Sequence, residues 1–178
     1  MNHNSKQGRA MSKIRRFAIT ATFAMVVGYS AIGAASASIS MTIDRDMIDF
    51  RTMDPGETRE LSDQGVYHNQ ITLSSTNNKT WYLKAHLLRP FTSGANSIPN
   101  QNFRWKVISI GSGRGTVYNN VNTENAFSNQ PSLIYTSADS DNTGTEVVLQ
   151  LRYILEVPKN QIAGNYDAVI RFTIIEIL

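Results

Sequence analysis

Apolar and polar residues alternate with a period of two over most of the chain after residue 37, and this pattern constrains the fold more than any other feature. It is clearest over residues 146–157, where Val147, Leu149, Leu151 and Tyr153 fall on one side of an extended chain. Successive side chains of a strand point to opposite faces, so the pattern predicts strands with one buried face. No window shows the 3.6-residue period of an amphipathic helix. We therefore predict an all-β protein.

Seven or eight short segments of this kind, separated by turn-forming residues, fill the roughly 140 residues after the leader, a density typical of an antiparallel sandwich. We predict an antiparallel immunoglobulin-like β-sandwich of about seven or eight strands. The chain contains no cysteine. Disulfides, thiolate metal sites and thiol nucleophiles are therefore excluded, and the core is expected to be stable without covalent links.

Residues 1–37 have the layout of a secretory signal peptide. The basic segment Lys13–Arg16 precedes an almost uncharged stretch over 17–33, and Ala35 and Ala37 supply small residues at −3 and −1 of the predicted cut. This three-part arrangement is recognised by the export machinery. The apolar stretch is shorter than the ~20 residues of a membrane-spanning helix, so cleavage is favoured over an uncleaved anchor.

Residues 1–10 are interpreted as an extension without a structural role, and residues 38–178 as a single domain. The leader holds five of the 17 basic residues and none of the 14 acidic ones, so 12 basic and 14 acidic residues remain, a net charge of −2. The overall charge of +3 therefore resides in the part predicted to be removed, which argues against nucleic acid as a partner. We expect an exported protein in the periplasm, on the cell surface or outside the cell.

The last two predicted strands, 146–157 and 166–178, are expected to form a hairpin across Lys159–Ala163. Gly164 is expected to supply a positive φ in a tight connection before the final strand. Tyr166 is expected to lay its ring on the core while its hydroxyl bonds a nearby backbone group.

Several short motifs resemble secreted bacterial immunoglobulin-like surface domains. They are Ile48-Asp49-Phe50, Asp54-Pro55-Gly56-Glu57, Thr80-Trp81-Tyr82-Leu83, Val157-Pro158, Gln161-Ile162-Ala163-Gly164-Asn165-Tyr166 and Phe172-Thr173-Ile174. Their order is similar to WxL-type cell-wall domains, and the closing part is also similar to fimbrial subunits of the spore-coat-U type. The resemblance implies wall binding or pilus assembly. Two departures are that Phe172-Thr173-Ile174 replaces the second Trp motif of the WxL group, and that the cysteines common in the fimbrial group are absent.

One loop carries candidate calcium ligands. Asp139, Asp141 and Asn142 offer alternating oxygen donors, and Gly144 takes the sixth position of the segment, as in loops that wrap a hard cation. The bidentate acid of such loops is missing, because Gln150 occupies the twelfth position. An ordinary polar loop between strands is the favoured alternative, and we predict no bound metal or cofactor.

Other polar clusters have simpler interpretations. Asp44, Asp46 and Asp49 form an acidic group for which a solvated turn is favoured over a cation site. His68 and His86, the two histidines beyond the leader, occupy positions that would allow them to face each other across the turn at Asn77-Asn78. A zinc site needs further donors, so two surface histidines are the favoured interpretation. The sequence also lacks the nucleophile-elbow, zinc-protease and phosphate-loop motifs. We predict that the protein is not an enzyme.

The aromatic residues divide by their phase in the alternation. Trp81 and Trp105 share the phase of the apolar positions and are expected in the core. Tyr82 and Tyr118 are the better candidates for exposure, and an exposed phenol face can stack on a sugar ring. They are the predicted binding residues if the protein binds glycan.

The predicted mature chain begins with an alternating strand of Ile39, Met41 and Ile43. Such a strand pairs at an open sheet edge, either in its own molecule, which is favoured, or in a neighbour by donor-strand exchange. We therefore expect a secreted structural or adhesive surface protein that contacts envelope proteins, copies of itself or wall glycan, and meets the membrane only during export. The alternative is a carbohydrate- or cell-wall-binding module.

Overall fold

The structure is a computed structural model that describes residues 19–23, 38–62, 65–111, 114–138 and 144–176. These residues form twelve strands and one short 3-10 helix at Asn100–Asn102. The strands are β1 (Ile19–Phe23), β2 (Ile39–Ile43), β3 (Thr58–Leu61), β4 (Asn69–Ser75), β5 (Trp81–Ser93), β6 (Asn96–Ser97), β7 (Phe103–Ile110), β8 (Gly115–Val117), β9 (Asn125–Ala126), β10 (Ser132–Ser137), β11 (Val147–Glu156) and β12 (Asp167–Glu176). Seven of the described strands after residue 37 have five or more residues.

The strands form two sheets around a common core, which confirms the predicted all-β sandwich. Sheet I has the order β1-β12-β5-β10-β8, with β6 beside β5. Sheet II has the order β2-β4-β11-β7-β9, with β3 beside β11. Every pairing is antiparallel except that of β1 with β12, which is parallel.

The core lies between the sheets and is rich in aromatic side chains. Trp81 and Trp105 are both buried, as their phase predicts. Phe103 stacks on Phe127 with ring centroids 4.6 Å apart and meets Phe91 edge-on at 5.0 Å. Aromatic pairs of these geometries add about 0.5–1.5 kcal/mol each beyond area burial.

The predicted hairpin between the last two strands is wrong. β11 lies in sheet II between β4 and β7, whereas β12 lies in sheet I between β1 and β5. The connection over residues 157–166 therefore crosses from one sheet to the other. Alternation specifies which side chains point inward, and it is the same for strands of either sheet. For this reason it did not distinguish a hairpin from a crossing connection.

The crossing connection holds both residues predicted to shape it. Tyr166 is buried, and its hydroxyl donates to the carbonyl of Ile162 at 2.7 Å, as expected. Gly164 does not have a positive φ, so that expectation is wrong. Its reason is space, because a Cβ at residue 164 would lie 2.9 Å from Ser93 Cβ and 3.2 Å from Tyr166 Cε2.

Most of the predicted signal peptide lies outside the described residues. Its described part is β1, whose residues pair in parallel register with Ala168–Phe172. Within the ranges that the structure describes, no helix is long and apolar enough to cross a membrane.

Candidate functional site

The outer edge of β12 is covered by β1 alone among the described strands. Along its other side β12 pairs with β5 over most of its length. Its inward side chains Ala168, Ile170 and Phe172 are buried in the core. This edge is therefore a strand-binding site that, in this chain, holds a segment of the predicted leader.

The predicted assembly strand pairs within its own molecule. Ile39–Ile43 forms β2, which lies antiparallel to β4 with Ile39 opposite Ser75 and Ile43 opposite Ile71. The hydroxyls of Ser40 and Ser74 lie 2.8 Å apart on the outer side of this pair. The favoured, intramolecular alternative is thus the arrangement in this structure, and Met41 packs against the core from it.

In the acidic group at residues 44–49, the carboxylates of Asp44 and Asp49 accept hydrogen bonds from nearby amide groups. Asp44 Oδ1 accepts hydrogen bonds from Asn69 Nδ2 at 2.8 Å and from the Gln70 amide at 2.7 Å. Asp49 Oδ1 accepts from the Arg51 amide at 2.7 Å. These contacts agree with the turn interpretation. The described residues contain no group of three or more His, Cys, Asp or Glu arranged to hold a metal ion.

The candidate calcium ligands Asp139, Asp141 and Asn142 lie outside the described residues. The calcium loop and its polar-loop alternative therefore both stay predictions.

A buried polar network that sequence reasoning missed lies inside sheet II. Tyr153 Oη donates to Asn69 Oδ1 at 2.9 Å, and Asn69 Nδ2 donates in turn to Asp44 Oδ1. Burial, and then the carboxylate of Asp44, raise the pKa of Tyr153. The available signal was Asn69 at an inward, apolar phase of its strand, which requires a partner in the core.

The two histidines do not face each other, and both are half-buried rather than fully at the surface. His68 lies just before β4 in sheet II, and its ring meets the ring of Tyr153 at 5.8 Å. His86 is on β5 in sheet I, opposite Arg171 of β12. The turn between β4 and β5 is another crossing connection, so it places the two side chains on different sheets.

The outward positions of β5 and β12 bring together three nitrogen-bearing side chains, Lys84, His86 and Arg171, which we call the sheet I cluster. The register places His86 opposite Arg171 and Lys84 opposite Thr173. All of these residues are half-buried. Burial, and then the charge of Arg171, lower the pKa of His86.

The outward positions of sheet II carry charges of both signs. Glu60 forms two ion pairs, through Oε2 with Lys106 Nζ and through Oε1 with Arg152 Nη1, each at 2.9 Å. Arg104 lies 2.9 Å from a carboxylate oxygen of Glu124 and 3.3 Å from one of Glu156. Burial acts to raise the pKa of Glu60, but its hydrogen bonds from the two cations outweigh burial and hold it below its ordinary value.

A cavity of about 350 Å³ opens between the sheets on the side away from β12. Its walls include Tyr118, which is 44% exposed, and the buried Trp105. Asn119 has a positive φ of 54° and donates through Nδ2 to Asn125 Oδ1 at 2.8 Å, which fixes both amides at the rim. The exposure predicted for Tyr118 is confirmed, whereas Tyr82 is half-buried on the outer face of sheet I.

No protein-family model matches the chain, and the sequence comparison with curated proteins found no match.

Proposed function

We propose that the chain is an exported, non-enzymatic surface protein of structural or adhesive type, which assembles with its neighbours through the outer edge of β12. One observation carries this proposal. The strand that covers this edge, β1, lies within the apolar stretch of the predicted signal peptide. A cut after Ala37 would remove β1 and leave the edge at Ala168–Phe172 without a neighbouring strand.

An uncovered edge at this place has a strong tendency to pair again. It presents a row of backbone N–H and C=O groups that were bonded to β1, and such a row is a template for pairing with another strand. It also borders the apolar side chains of Ile170 and Phe172, which are buried in the core. A strand from a neighbouring molecule pairs with this row, as in β-strand addition. This supports assembly of the kind implied by the resemblance to fimbrial subunits.

Two truncations of the chain test the proposal. Residues 38–178 lack β1, whereas residues 11–178 retain it and serve as the matched control. After refolding from denaturant, light scattering behind size exclusion is expected to give concentration-dependent multimers for 38–178 and a monomer for 11–178. A folded, strictly monomeric 38–178 would overturn the proposal.

A single substitution separates the role of the strand from that of the leader as a whole. Ala21→Pro in the full chain places an imino acid without an N–H in the middle of β1. We expect this variant to form multimers as 38–178 does. Mass spectrometry of the exported protein, with Ser38 expected as its first residue, tests the cut itself.

Carbohydrate binding is the second candidate function, and the cavity beside Tyr118 is the observation that favours it. A cavity of this volume, with an exposed phenol and two fixed amides at its rim, has the mixture of apolar and polar groups found in ligand pockets. Tyr118→Ala is expected to abolish retention of the full chain on an insoluble, uncharged glycan such as cellulose. Met47→Ala, at an exposed position outside the cavity, is the control, and undiminished retention of Tyr118→Ala would contradict this function.

A further inference from the structure

The sheet I cluster is compact. Residues directly opposite on neighbouring antiparallel strands have Cβ atoms about 5 Å apart, and His86 and Arg171 are such a pair. Lys84 lies two residues before His86 on the same face, a distance of about 7 Å along the strand. The three side chains thus share a patch roughly 10 Å across.

No acidic side chain of the described residues neutralises this patch. On β12, the carboxylate of Asp167 pairs with Arg89 instead. Glu176 lies at the far end of the strand, where it accepts hydrogen bonds from β4 and the loop after it. Within the described ranges no ion pair involves Lys84 or Arg171.

Two nitrogen atoms of the patch are buried without a hydrogen-bond partner. They are Nδ1 of His86 and Nε of Arg171. A buried polar group without a partner is unfavourable. Both atoms lie beneath the surface, so a ligand would meet the exposed parts of these half-buried side chains, where an anionic oxygen neutralises the positive charge.

We propose that the sheet I cluster binds an anionic polysaccharide, whose carboxylates or other acidic groups contact Lys84, His86 and Arg171. The face is a sheet surface rather than an enclosed pocket, so it does not surround a small ion. An extended polymer instead brings several acidic groups to the cluster together, and this raises the effective concentration of each group after the first. Hydroxyls of Tyr82 and Thr173, at neighbouring outward positions, are placed to meet sugar hydroxyls.

This site is separate from the proposed assembly edge and does not depend on it. Strand addition uses the backbone edge of β12, whereas the cluster uses side chains that project outward from β12 and β5. Loss of polymer binding with normal assembly, or the reverse, therefore tells the two proposals apart.

A pair of charge-matched double variants tests the site in the full chain. Lys84→Gln/Arg171→Gln removes two positive charges from sheet I, and Lys106→Gln/Arg152→Gln removes two from sheet II. Binding to immobilised polygalacturonate is measured at low ionic strength, about 0.03 M, where screening is weak. We expect the first variant to bind about tenfold more weakly and the second to bind within about twofold of the wild type.

Circular dichroism establishes that both variants are folded, and the charge-conserving Lys84→Arg/Arg171→Lys variant is expected to retain most of the binding. Equal losses in the two charge-removing variants, or no loss in either, would overturn the site. Three further probes identify the ligand class: neutral dextran, inorganic phosphate and vesicles containing anionic lipid. Retention by vesicles but not by polygalacturonate, or displacement by millimolar phosphate alone, would overturn the assignment to a polysaccharide.

The site also predicts a pH dependence through His86. The ionisable groups that face it are Arg171 on β12, and Lys84 and Arg89 on its own strand, with Asp167 held by Arg89. The described parts of β10 and β1 add no outward-facing ionisable residue. With its pKa held below 6.5 by burial and by Arg171, His86 is mainly neutral at neutral pH. Acidification adds a third positive charge to the cluster.

Binding to polygalacturonate is therefore expected to strengthen as the pH falls below 6.5, by about threefold to tenfold once His86 is protonated. His86→Gln is expected to bind with little change over this range. A pH dependence that survives in His86→Gln would contradict the role assigned to this side chain.

Discussion

The two sheets share one core but differ in how the charged side chains on their outer faces are paired. On sheet II, Glu60 and Arg104 each hold two partners of opposite sign, so the described charges form local networks. On sheet I, Lys84, His86 and Arg171 lie together with no carboxylate among the described residues to pair with them. The same strand geometry thus supports a face whose charges are satisfied internally and a face whose charges are available to a ligand.

The difference between the sheets separates charges that contribute to stability from charges that the proposed site uses for binding. Networks such as that around Glu60 contribute modestly to stability and leave no charge to attract a partner. Like charges placed opposite one another are destabilising, and the protonated form of His86 would lie opposite Arg171. Substitutions that exchange the properties of the two faces test this contrast directly.

The largest effect is expected beneath the sheet II face, where Tyr153, Asn69 and Asp44 form a hydrogen-bonded network. Tyr153→Phe removes the hydroxyl that donates to Asn69 Oδ1, so this buried oxygen loses its hydrogen bond from Tyr153. We expect the free energy of unfolding to fall by about 1–3 kcal/mol, measured by urea denaturation. Tyr118→Phe, at an exposed position, is the control and is expected within about 0.5 kcal/mol of the wild type. Equal stabilities of the two variants would mean that sheet II does not depend on this network.

A smaller effect is expected when the sheet II face is made to resemble sheet I. Glu60→Gln leaves Lys106 and Arg152 without their shared carboxylate and should lower stability by about 0.5–1 kcal/mol at neutral pH. Burial raises the pKa of Glu60, but the hydrogen bonds from Arg152 and Lys106 lower it further, so the folded value lies below 4.5. A lowered folded pKa stabilises the protein above the ordinary value, and this contribution is lost as pH falls through the folded value.

The stability difference between wild type and Glu60→Gln should accordingly shrink below about pH 4.5. Thermal unfolding of both proteins across the acid range measures it. A difference that stays constant to low pH would show that the carboxylate charge is not the cause.

The smallest effect on stability is expected when sheet I is given the carboxylate that it lacks. Thr173→Glu places an acid opposite Lys84 and should raise the free energy of unfolding by about 0.2–0.5 kcal/mol. The same change should abolish binding to polygalacturonate. Thr136→Glu, on the same face but opposite Tyr82, is the control and should keep more of the binding. Equal binding by wild type and Thr173→Glu would contradict the proposed site.

The sequence predicts the inward-facing residues well because burial itself has the period of the strand. Trp81, Trp105 and Tyr166 all occupy the core, and Tyr166 also makes the expected bond to nearby backbone. Alternation does not indicate which sheet a strand joins, and for this reason the predicted hairpin after β11 is wrong. Gly164 shows a related limit, because a glycine required by close approach and one required by positive φ look alike in a sequence.

The sheet I cluster shows that the sequence alone does not predict which side chains meet across neighbouring strands. Lys84 and His86 are two residues apart, and their common face follows from the strand pattern alone. Arg171 joins them only through the register of β12 against β5, which links residues more than 80 positions apart. The positions of His68 and His86 on separate sheets depend on the same long-range pairing.

The order of sheet I also dictates when it can form. β12 (Asp167–Glu176) lies between β1 and β5, so β5 lacks its longest neighbour until residues 167–176 have been synthesised. Contacts that close such long loops form slowly. Sheet I therefore stays incomplete until β12 has been synthesised, and until then the chain exposes apolar segments to proteases and chaperones.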